Sequence, residues 1–127
     1  MKRIILVEDD FIIALLLEKQ IQRMGYEVAD KVDNGEMAVE RVRSEVPDLV
    51  LMDIKLVGEM DGIDAMTKIR EFSSIPVIYL TGNADENTKQ RALETNPEGY
   101  LIKPVDMEVL KRTIREIMGE KSSNNGH

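Results

Sequence analysis

The stretch of sequence that decides the fold is Leu49-Val50-Leu51-Met52-Asp53, a short apolar run that ends in a carboxylate. Three other apolar runs have the same pattern, and polar residues directly follow each of them. They are Arg3-Ile4-Ile5-Leu6-Val7 before Glu8-Asp9-Asp10, Val77-Ile78-Tyr79-Leu80 before Thr81, and Tyr100-Leu101-Ile102 before Lys103-Pro104. Ligands of an open parallel sheet bind beyond the carboxyl ends of its strands, where the strand order reverses. Parallel packing would therefore gather acids, a hydroxyl and a lysine at one edge, a combination that suits a hard cation and a phosphoryl group.

The spacing of these runs predicts the fold class. Short apolar runs alternate with helical patterns, which is typical of βαβ units around a parallel sheet. The predicted strands are 3–7, 27–32, 48–53, 76–81 and 99–102, and the predicted helices are 10–24, 35–45, 62–71, 84–95 and 106–118. Five repeats of a strand and a helix predict an α/β domain with a (βα)5 count.

The predicted strands differ in how they should be covered. Residues 48–53 and 76–81 are almost continuously apolar, as in strands that are covered on both faces. Residues 27–32 alternate (Val28, Asp30, Val32), as expected at the half-exposed edge of a sheet.

Two predicted helices differ in the same way. Helix 106–118 has one apolar stripe that should face the sheet, made of Met107, Leu110, Ile114 and Ile117. Helix 84–95 is mostly polar, and Ala92 and Leu93 are its main apolar residues. It should be weakly held, so it is our candidate for a moving element.

Composition excludes several classes of protein. A chain of 127 residues suits one domain, here residues 1–119, and the polar residues 120–127 are expected to be a disordered tail, a linker or an expression remnant. The net charge of −7 opposes binding to nucleic-acid phosphates, and the absence of cysteine excludes disulfides. The start at Met1-Lys2-Arg3 is followed by too short an apolar run for a signal peptide, and no run has the length of a membrane span. The expected location is the cytoplasm.

The carboxylates suggest a metal site and a nucleophile. Asp9 and Asp53 are candidate direct ligands of Mg²⁺, and Glu8 is a candidate for holding a metal-bound water. The alternative is that Glu8, Asp9 and Asp10 only cap the helix that follows them. Asp53 is harder to explain in this way because it ends a buried run, where an unpaired carboxylate is costly. An aspartate in that position can act as a nucleophile that forms an acyl phosphate.

Over residues 3–118 the chain resembles the receiver domain of two-component response regulators. The resemblance rests on five motifs: Ile4-Ile5-Leu6-Val7-Glu8-Asp9-Asp10, Asp48-Leu49-Val50-Leu51-Met52-Asp53, Met60-Asp61-Gly62, Pro76-Val77-Ile78-Tyr79-Leu80-Thr81-Gly82 and Gly99-Tyr100-Leu101-Ile102-Lys103-Pro104. It implies a doubly wound, flavodoxin-like fold with helices on both faces of a five-stranded parallel sheet of order 2-1-3-4-5. It also implies a switch that assists its own phosphorylation and dephosphorylation, rather than an enzyme.

The resemblance implies a role for each motif residue. Asp53 would accept a phosphoryl group from a histidine kinase or a histidine phosphotransfer protein. Glu8, Asp9 and Asp53 would bind Mg²⁺ together with the main-chain carbonyl of Lys55. Thr81 and Lys103 would bind the phosphoryl oxygens, and Tyr100 would swing inward as Thr81 moves. The bond between Lys103 and Pro104 is a candidate cis peptide, since such bonds occur almost only before proline.

The remaining partners implied are an effector domain or a second copy of the chain, bound through the face of helices 84–95 and 106–118.

Two features depart from the family pattern. The loop 54–60 has no proline and is one residue longer than usual, and Lys55 and Asn83 occupy positions that tune the lifetime of the phosphoryl group in this family.

Three other functions were weighed. An Mg²⁺-dependent phosphatase with an aspartyl nucleophile needs an acid/base group two residues after Asp53, but that residue is Lys55. A flavodoxin-like nucleotide binder would need a glycine-rich phosphate loop, which is absent. A constitutive interaction module would not need Asp53, Thr81 and Lys103.

Helix 10–24 predicts a docking surface. At 100° per residue, one side is apolar and should face the sheet, with Ile13, Leu16, Leu17, Ile21 and Met24. Phe11, Ile12 and Leu15 fall on the polar side and should be at least partly exposed, which single apolar residues often are. Three together beside the acidic site suggest instead that they contact the helices of the phosphoryl donor.

Overall fold

The computed structural model describes residues 1–82 and 85–120, which form five strands and five helices in alternation. The strands are β1 (Arg3–Val7), β2 (Glu27–Val32), β3 (Leu49–Asp53), β4 (Val77–Thr81) and β5 (Gly99–Ile102). The helices are α1 (Phe11–Arg23), α2 (Gly35–Glu45), α3 (Gly62–Ile69), α4 (Glu86–Leu93) and α5 (Met107–Ile117). The predicted (βα)5 alternation is confirmed.

The sheet is parallel throughout and has the strand order β2-β1-β3-β4-β5, as predicted. The order reverses between β1 and β3, so the chain winds first in one direction and then in the other. The carboxyl ends of β1, β3, β4 and β5 consequently meet along one edge, where a ligand site is expected.

Apolar clusters cover both faces of the sheet. One face packs against buried residues of α2, α3 and α4, and the other packs against buried residues of α1 and α5. All five residues of β3 and all five of β4 are buried. Two covered faces explain why these strands read as continuous apolar runs, and the prediction made for them is confirmed.

The edge strand β2 departs from the predicted alternation because its register with β1 shifts after Val28. Val28 packs against the α1 side of the sheet, but Ala29 and Val32 pack against the α2 side. Asp30 also lies on the α2 side, where it pairs with Arg41 at 3.1 Å. The strand lies at the edge of the sheet and is partly exposed, as predicted, but a β-bulge inserts one residue, so Val28, Asp30 and Val32 do not all lie on one face.

Helix α1 is rotated slightly from the predicted orientation. Its buried residues are Ala14, Leu17 and Ile21, whereas Leu16 is 56% exposed. The prediction that Leu16 faces the sheet was wrong. The buried residues Ala14, Leu17 and Ile21 recur at intervals of three and four residues, and Leu16 falls outside the stripe that they form.

The two C-terminal helices differ as predicted in how they are held. Leu110 and Ile114 of α5 are buried, with Met107 and Ile117 packed beside them. In α4 the only buried residue is Ala92. This helix is shorter than the predicted span 84–95, since it begins after its N-cap Asp85; residues 83 and 84 lie outside the described part of the chain.

The last described residues are held to the domain by hydrogen bonds of Glu120. Gly119 has a φ of +77°, and the amide of Glu120 donates a hydrogen bond of 2.9 Å to the carbonyl of Arg115. The hydroxyl of Tyr26 donates to the carboxylate of Glu120 at 2.5 Å. The rest of the predicted tail, residues 121–127, lies outside the described residues.

Within the described ranges, no helix has both the length and the apolar character needed to cross a membrane.

Val46 predicts a gain in stability on substitution. It ends α2 with φ 46° and ψ 63° and is 76% exposed. A β-branched residue is strained in this left-handed region, whereas asparagine tolerates it. Val46→Asn should therefore raise the free energy of unfolding by about 1 kcal/mol and the thermal midpoint by about 4 °C. The same exchange at the exposed Val57 is the control, and a midpoint for Val46→Asn at or below that of the parent protein would contradict the strain.

Candidate functional site

The edge formed by the strand ends gathers the polar residues that the sequence singled out. Glu8 directly follows β1, Asp53 ends β3, Thr81 ends β4 and Lys103 directly follows β5. The parallel register aligns these ends: the amide of Lys103 donates to the carbonyl of Thr81 at 2.7 Å, and that of Ile54 donates to Leu80 at 3.3 Å. Strand pairing thus sets the positions of these side chains.

Three carboxylates converge at this edge. One oxygen of each of Glu8, Asp9 and Asp53 lies within 4.8 Å of the other two. Glu8 and Asp53 are each only 4% exposed, whereas Asp9 is exposed. Buried carboxylates at this distance repel one another, so the arrangement needs a cation.

Lys103 supplies a cation to this group. Its Nζ donates hydrogen bonds to Glu8 at 3.0 Å and to Asp53 at 3.1 Å. Burial alone would lower the pKa of Lys103, but the two carboxylates raise it above the usual value for lysine. Burial raises the pKa of Glu8, and the hydrogen bond from Lys103 offsets only part of that rise. The lysine therefore stays charged and leaves the group of three acids with a negative excess.

The helix-cap alternative holds for only one of the three acids in the Glu8-Asp9-Asp10 motif. The side chain of Asp10 accepts from the amides of Ile12 and Ile13 and caps α1. Glu8 accepts from the amide of Asp10 at 3.1 Å but points its other oxygen at Lys103. Capping thus explains Asp10, while Glu8 and Asp9 remain directed at the strand ends.

An open cleft of about 500 Å³ lies over the carboxylates. Lys55, Leu56 and Val57 of the loop after β3 line one part of it, with Gly82 and Lys103 opposite. The cleft gives the Asp53 side of the site access from solvent, so a group much larger than water can reach the carboxylates.

The beginning of α3 lies directly against the backbone of Asp53. A Cβ atom at position 62 would overlap the carbonyl oxygen of Asp53, and the amide of Gly62 donates to the carbonyl of Ile54 at 2.7 Å. Only glycine fits there. This explains the Asp61-Gly62 pair in the sequence: Asp61 caps α3, and Gly62 allows the helix to support the backbone that carries Asp53.

The structure also places the remaining residues singled out in the sequence. Thr81 is 2% exposed, and Tyr100 is half-buried with its ring 6.3 Å from that of Tyr79. The bond between Lys103 and Pro104 is cis. Asn83 lies outside the described residues.

Helix α1 begins beside the cleft, whose lining includes its N-cap Asp10 and Ile13. Phe11 is 73% exposed and Ile12 is 68% exposed, while Leu15 is half-buried. The exposed Leu16 extends this apolar surface, which the helical-wheel analysis missed because it assigned Leu16 to the sheet.

Sequence reasoning also missed an ion network that joins α4 to α3. Arg91 lies 3.1 Å from Asp61 and 3.2 Å from Asp64. Burial alone would raise the pKa of Asp61, but hydrogen bonds donated by Arg91 and by the amide of Asp64 lower it. No spacing in the sequence indicates this contact, because Arg91 and Asp61 are 30 residues apart.

Comparison with known proteins identifies the class. Residues 4–115 match the family model of the response regulator receiver domain, so the chain belongs to that family. Its function is that of a receiver domain in two-component signal transduction, and the alternatives of an aspartyl phosphatase or a constitutive interaction module are not favoured.

Among curated relatives, the chain is 40% identical over 116 residues to the transcriptional regulatory protein ZraR of Klebsiella oxytoca. It is 34% identical over 125 residues to the transcriptional regulatory protein AfsQ1 of Streptomyces coelicolor. These matches cover 91% and 97% of this chain but 26% and 55% of those proteins. The chain thus spans between a quarter and about half of the length of the relatives it matches.

Solved structures show the same fold. The signal receiver domain of a modulated diguanylate cyclase from Desulfovibrio desulfuricans G20 superposes with a TM-score of 0.86 at 36% identity, covering 94% of each chain. The N-terminal domain of a response regulator/sensory box/GGDEF protein from Carboxydothermus hydrogenoformans gives 0.84 at 31% identity, covering 93% of this chain and 94% of that one. The predicted flavodoxin-like receiver fold is confirmed.

The ion network of Arg91 predicts a pH effect. A carboxylate with a lowered pKa stabilises the fold above the usual aspartate pKa of about 4, and this stability is lost as the pH falls through the lower value. Arg91→Gln should raise the pKa of Asp61 in an NMR titration. It should also lower stability at pH 7, by less than about 1 kcal/mol because Arg91 is exposed, and have less effect near pH 2.

The control for this prediction is Lys89→Gln, which removes the same charge from an exposed position of α4. Equal changes in the pKa of Asp61 in both variants would show that general charge, and not the contact with Arg91, lowers it.

Proposed function

We propose that Asp53 is the phosphoacceptor of this receiver and that its donor is a histidine kinase or a histidine phosphotransfer protein. The observation that carries this proposal is the position of Asp53, a buried carboxylate at the end of β3 that lines an open cleft and has an ammonium group 3.1 Å away. In the transfer, a carboxylate oxygen of Asp53 attacks phosphorus. The bond from phosphorus to the imidazole nitrogen breaks, and imidazole leaves with that electron pair.

The donor set fits Mg²⁺. Three carboxylates within 4.8 Å provide only oxygen ligands, which Mg²⁺ prefers, and their negative excess favours a divalent cation. We assign Glu8, Asp9 and Asp53 to this site, together with the main-chain carbonyl of Lys55, whose residue lines the same cleft. When bound, the ion would neutralise charge on the phosphoryl oxygens. Asp53 then carries the reacting oxygen, and Glu8 and Asp9 hold its surroundings in place.

Lys103 and Thr81 respond to the added phosphoryl group in this proposal. Lys103 already lies between Glu8 and Asp53, so its Nζ can exchange a carboxylate partner for a phosphoryl oxygen without leaving the site. Thr81 ends the neighbouring strand and can donate its hydroxyl proton to another phosphoryl oxygen. The shift of Thr81 opens space toward which Tyr100 turns.

The output would follow from the position of Tyr100 on β5, the strand that separates α4 and α5 along the chain. A turn of Tyr100 changes the face that these two helices form with β5, which is a shift of population between two arrangements. The partner at that face is proposed to be an effector domain or a second copy of the chain. The matched relatives are longer than this chain and are named as transcriptional regulators, which supports an effector domain.

The exposed side of α1 is the proposed contact with the donor. Phe11, Ile12 and Leu15 lie on the helix whose Ile13 lines the cleft that contains Asp53, and an attacking carboxylate requires the donor imidazole to enter that cleft. An apolar surface beside the entrance would hold the donor helices in position.

The assignment of Asp53 predicts a single phosphorylation event. Incubation with Mg²⁺ and a small acyl phosphate should add the mass of one phosphoryl group to the intact protein. Asp53→Asn should abolish the gain because an amide oxygen is a far weaker nucleophile. The exposed Asp33, changed to asparagine, is the control and should still be phosphorylated. A modified Asp53→Asn protein would assign the phosphoryl group elsewhere.

The docking surface predicts a donor-specific defect. Phe11→Ser and Ile12→Ser should slow transfer from the cognate histidine donor by about tenfold or more, since each removes an exposed apolar contact of about 1–2 kcal/mol. Phosphorylation by the small acyl phosphate should be unchanged. Val46→Ser, which removes an equally exposed apolar side chain at the opposite end of the molecule, is the control. Slowing with both donors would indicate damage to the fold, and normal transfer with both would exclude the docking role.

A further inference from the structure

The centre of β4 contains a buried phenol that the phosphoacceptor chemistry does not use. Tyr79 has no exposed surface, and its hydroxyl lies 2.7 Å from the hydroxyl oxygen of Thr95. Thr95 donates its own hydroxyl proton to the carbonyl of Ala92 at 2.7 Å. Because each hydroxyl has one proton, Tyr79 must donate to Thr95. Burial raises the pKa of Tyr79 to about 12, so the phenol stays protonated at neutral pH.

Thr95 joins three elements at the end of α4. It is 5% exposed, and its carbonyl accepts a hydrogen bond of 2.8 Å from Nε of Arg70, which follows α3. Its hydroxyl binds β4 through Tyr79 and the last turn of α4 through Ala92. One residue thus fixes the C-terminal end of α4 against both the sheet and α3.

These polar contacts matter because α4 has little apolar packing. Ala92 is the only buried residue of the helix, and the one large apolar side chain next to it, Leu93, is 44% exposed. A buried hydrogen bond makes a modest net contribution to stability in most proteins. Where a helix buries so little surface, a contribution of that size is a large part of what holds it in place.

Tyr79 also contacts the switch residues. Side chains two residues apart on a strand point to the same face, so Tyr79 and Thr81 face α4 together. The ring of Tyr79 meets that of Tyr100 edge to face, with centroids 6.3 Å apart. The group that holds α4 therefore touches the aromatic residue that is proposed to move.

We propose that Tyr79 and Thr95 are positioning residues of the switch: their buried hydroxyl pair holds α4 in its resting place and so limits how readily Asp53 accepts a phosphoryl group. The coupling to Asp53 rests on the proposed function, whereas the attachment of α4 does not. A weaker attachment lets the unphosphorylated protein populate the active arrangement more often, which by linkage favours phosphorylation.

Hydrogen exchange tests the attachment without any phosphorylation. Tyr79→Phe and Thr95→Val should each speed exchange of the α4 amides by about five- to tenfold, while the amides of α1 and α5 change much less. Thr95→Ser keeps the hydroxyl and should restore slow exchange. Tyr26→Phe is the control, because it removes the hydroxyl of another buried tyrosine, one that binds Glu120 on the opposite side of the sheet. If α4 exchange rises only in step with α1 and α5, the pair has a general structural role and the proposal is overturned.

The rate of phosphorylation by a small acyl phosphate tests the coupling. Tyr79→Phe and Thr95→Val should react a few times faster than the parent protein, and Thr95→Ser and Tyr26→Phe should react at the parent rate. An unchanged rate in a variant whose α4 has loosened would overturn the coupling while leaving the attachment in place. Failure of the parent protein itself to react would overturn the proposed function and the coupling with it, and hydrogen exchange would still decide the attachment.

Discussion

Two buried carboxylates share one ammonium group at the carboxyl edge of the sheet, and the rest of the structure depends on this contact. Without Lys103, Glu8 and Asp53 would be buried charges of the same sign, which would lower the stability of the fold. Lys103 is 95 positions from Glu8 and 50 positions from Asp53 along the chain, so the contact forms only when β1, β3 and β5 are aligned. The site is therefore a product of the whole sheet, and the reactivity proposed for it comes from acids that are held together against their repulsion.

The two halves of the sheet edge differ in rigidity. Asp53 ends a strand with both faces covered, and Gly62 packs the start of α3 against its backbone. Helix α4, by contrast, is held by Ala92, a hydroxyl pair and an exposed ion network. A firmly held carboxylate beside a lightly held helix suits the proposed switch, because a small change at the site can then alter the position of one element without disturbing the core.

Much of the fold could be predicted because local patterns determine it. The helix starts follow from their caps: Asp10, Asn34, Asp61, Asp85 and Asp106 each accept a backbone amide in the first turn. Strand β4 begins at Val77 and not at the predicted residue 76, which is a proline without an amide proton. The residues of the candidate site could be named because each one follows an apolar run.

Other features depend on contacts that no local pattern contains. The bulge in β2 comes from pairing with β1, and the burial of Ala14 in place of Leu16 depends on how α1 is rotated against the sheet. Tyr79 looks in the sequence like any apolar strand residue, since its partner Thr95 lies 16 positions away. The ion pair between Arg91 and Asp61 cannot be read from the sequence either. Exposed charges on polar helices are common, and most of them form no specific ion pair.

The bulge in β2 also bears on self-association. An open sheet has two edge strands whose unpaired amides and carbonyls can recruit a strand from another molecule, the first step toward aggregation. Here one edge is β2, with an irregular register and the adjacent charged residues Asp30 and Lys31, and the other is β5, which has only four residues and is followed closely by Pro104. Neither offers a long, flat ladder. Copies of this domain are thus discouraged from joining their sheets, even at the high local concentrations at which signalling proteins assemble.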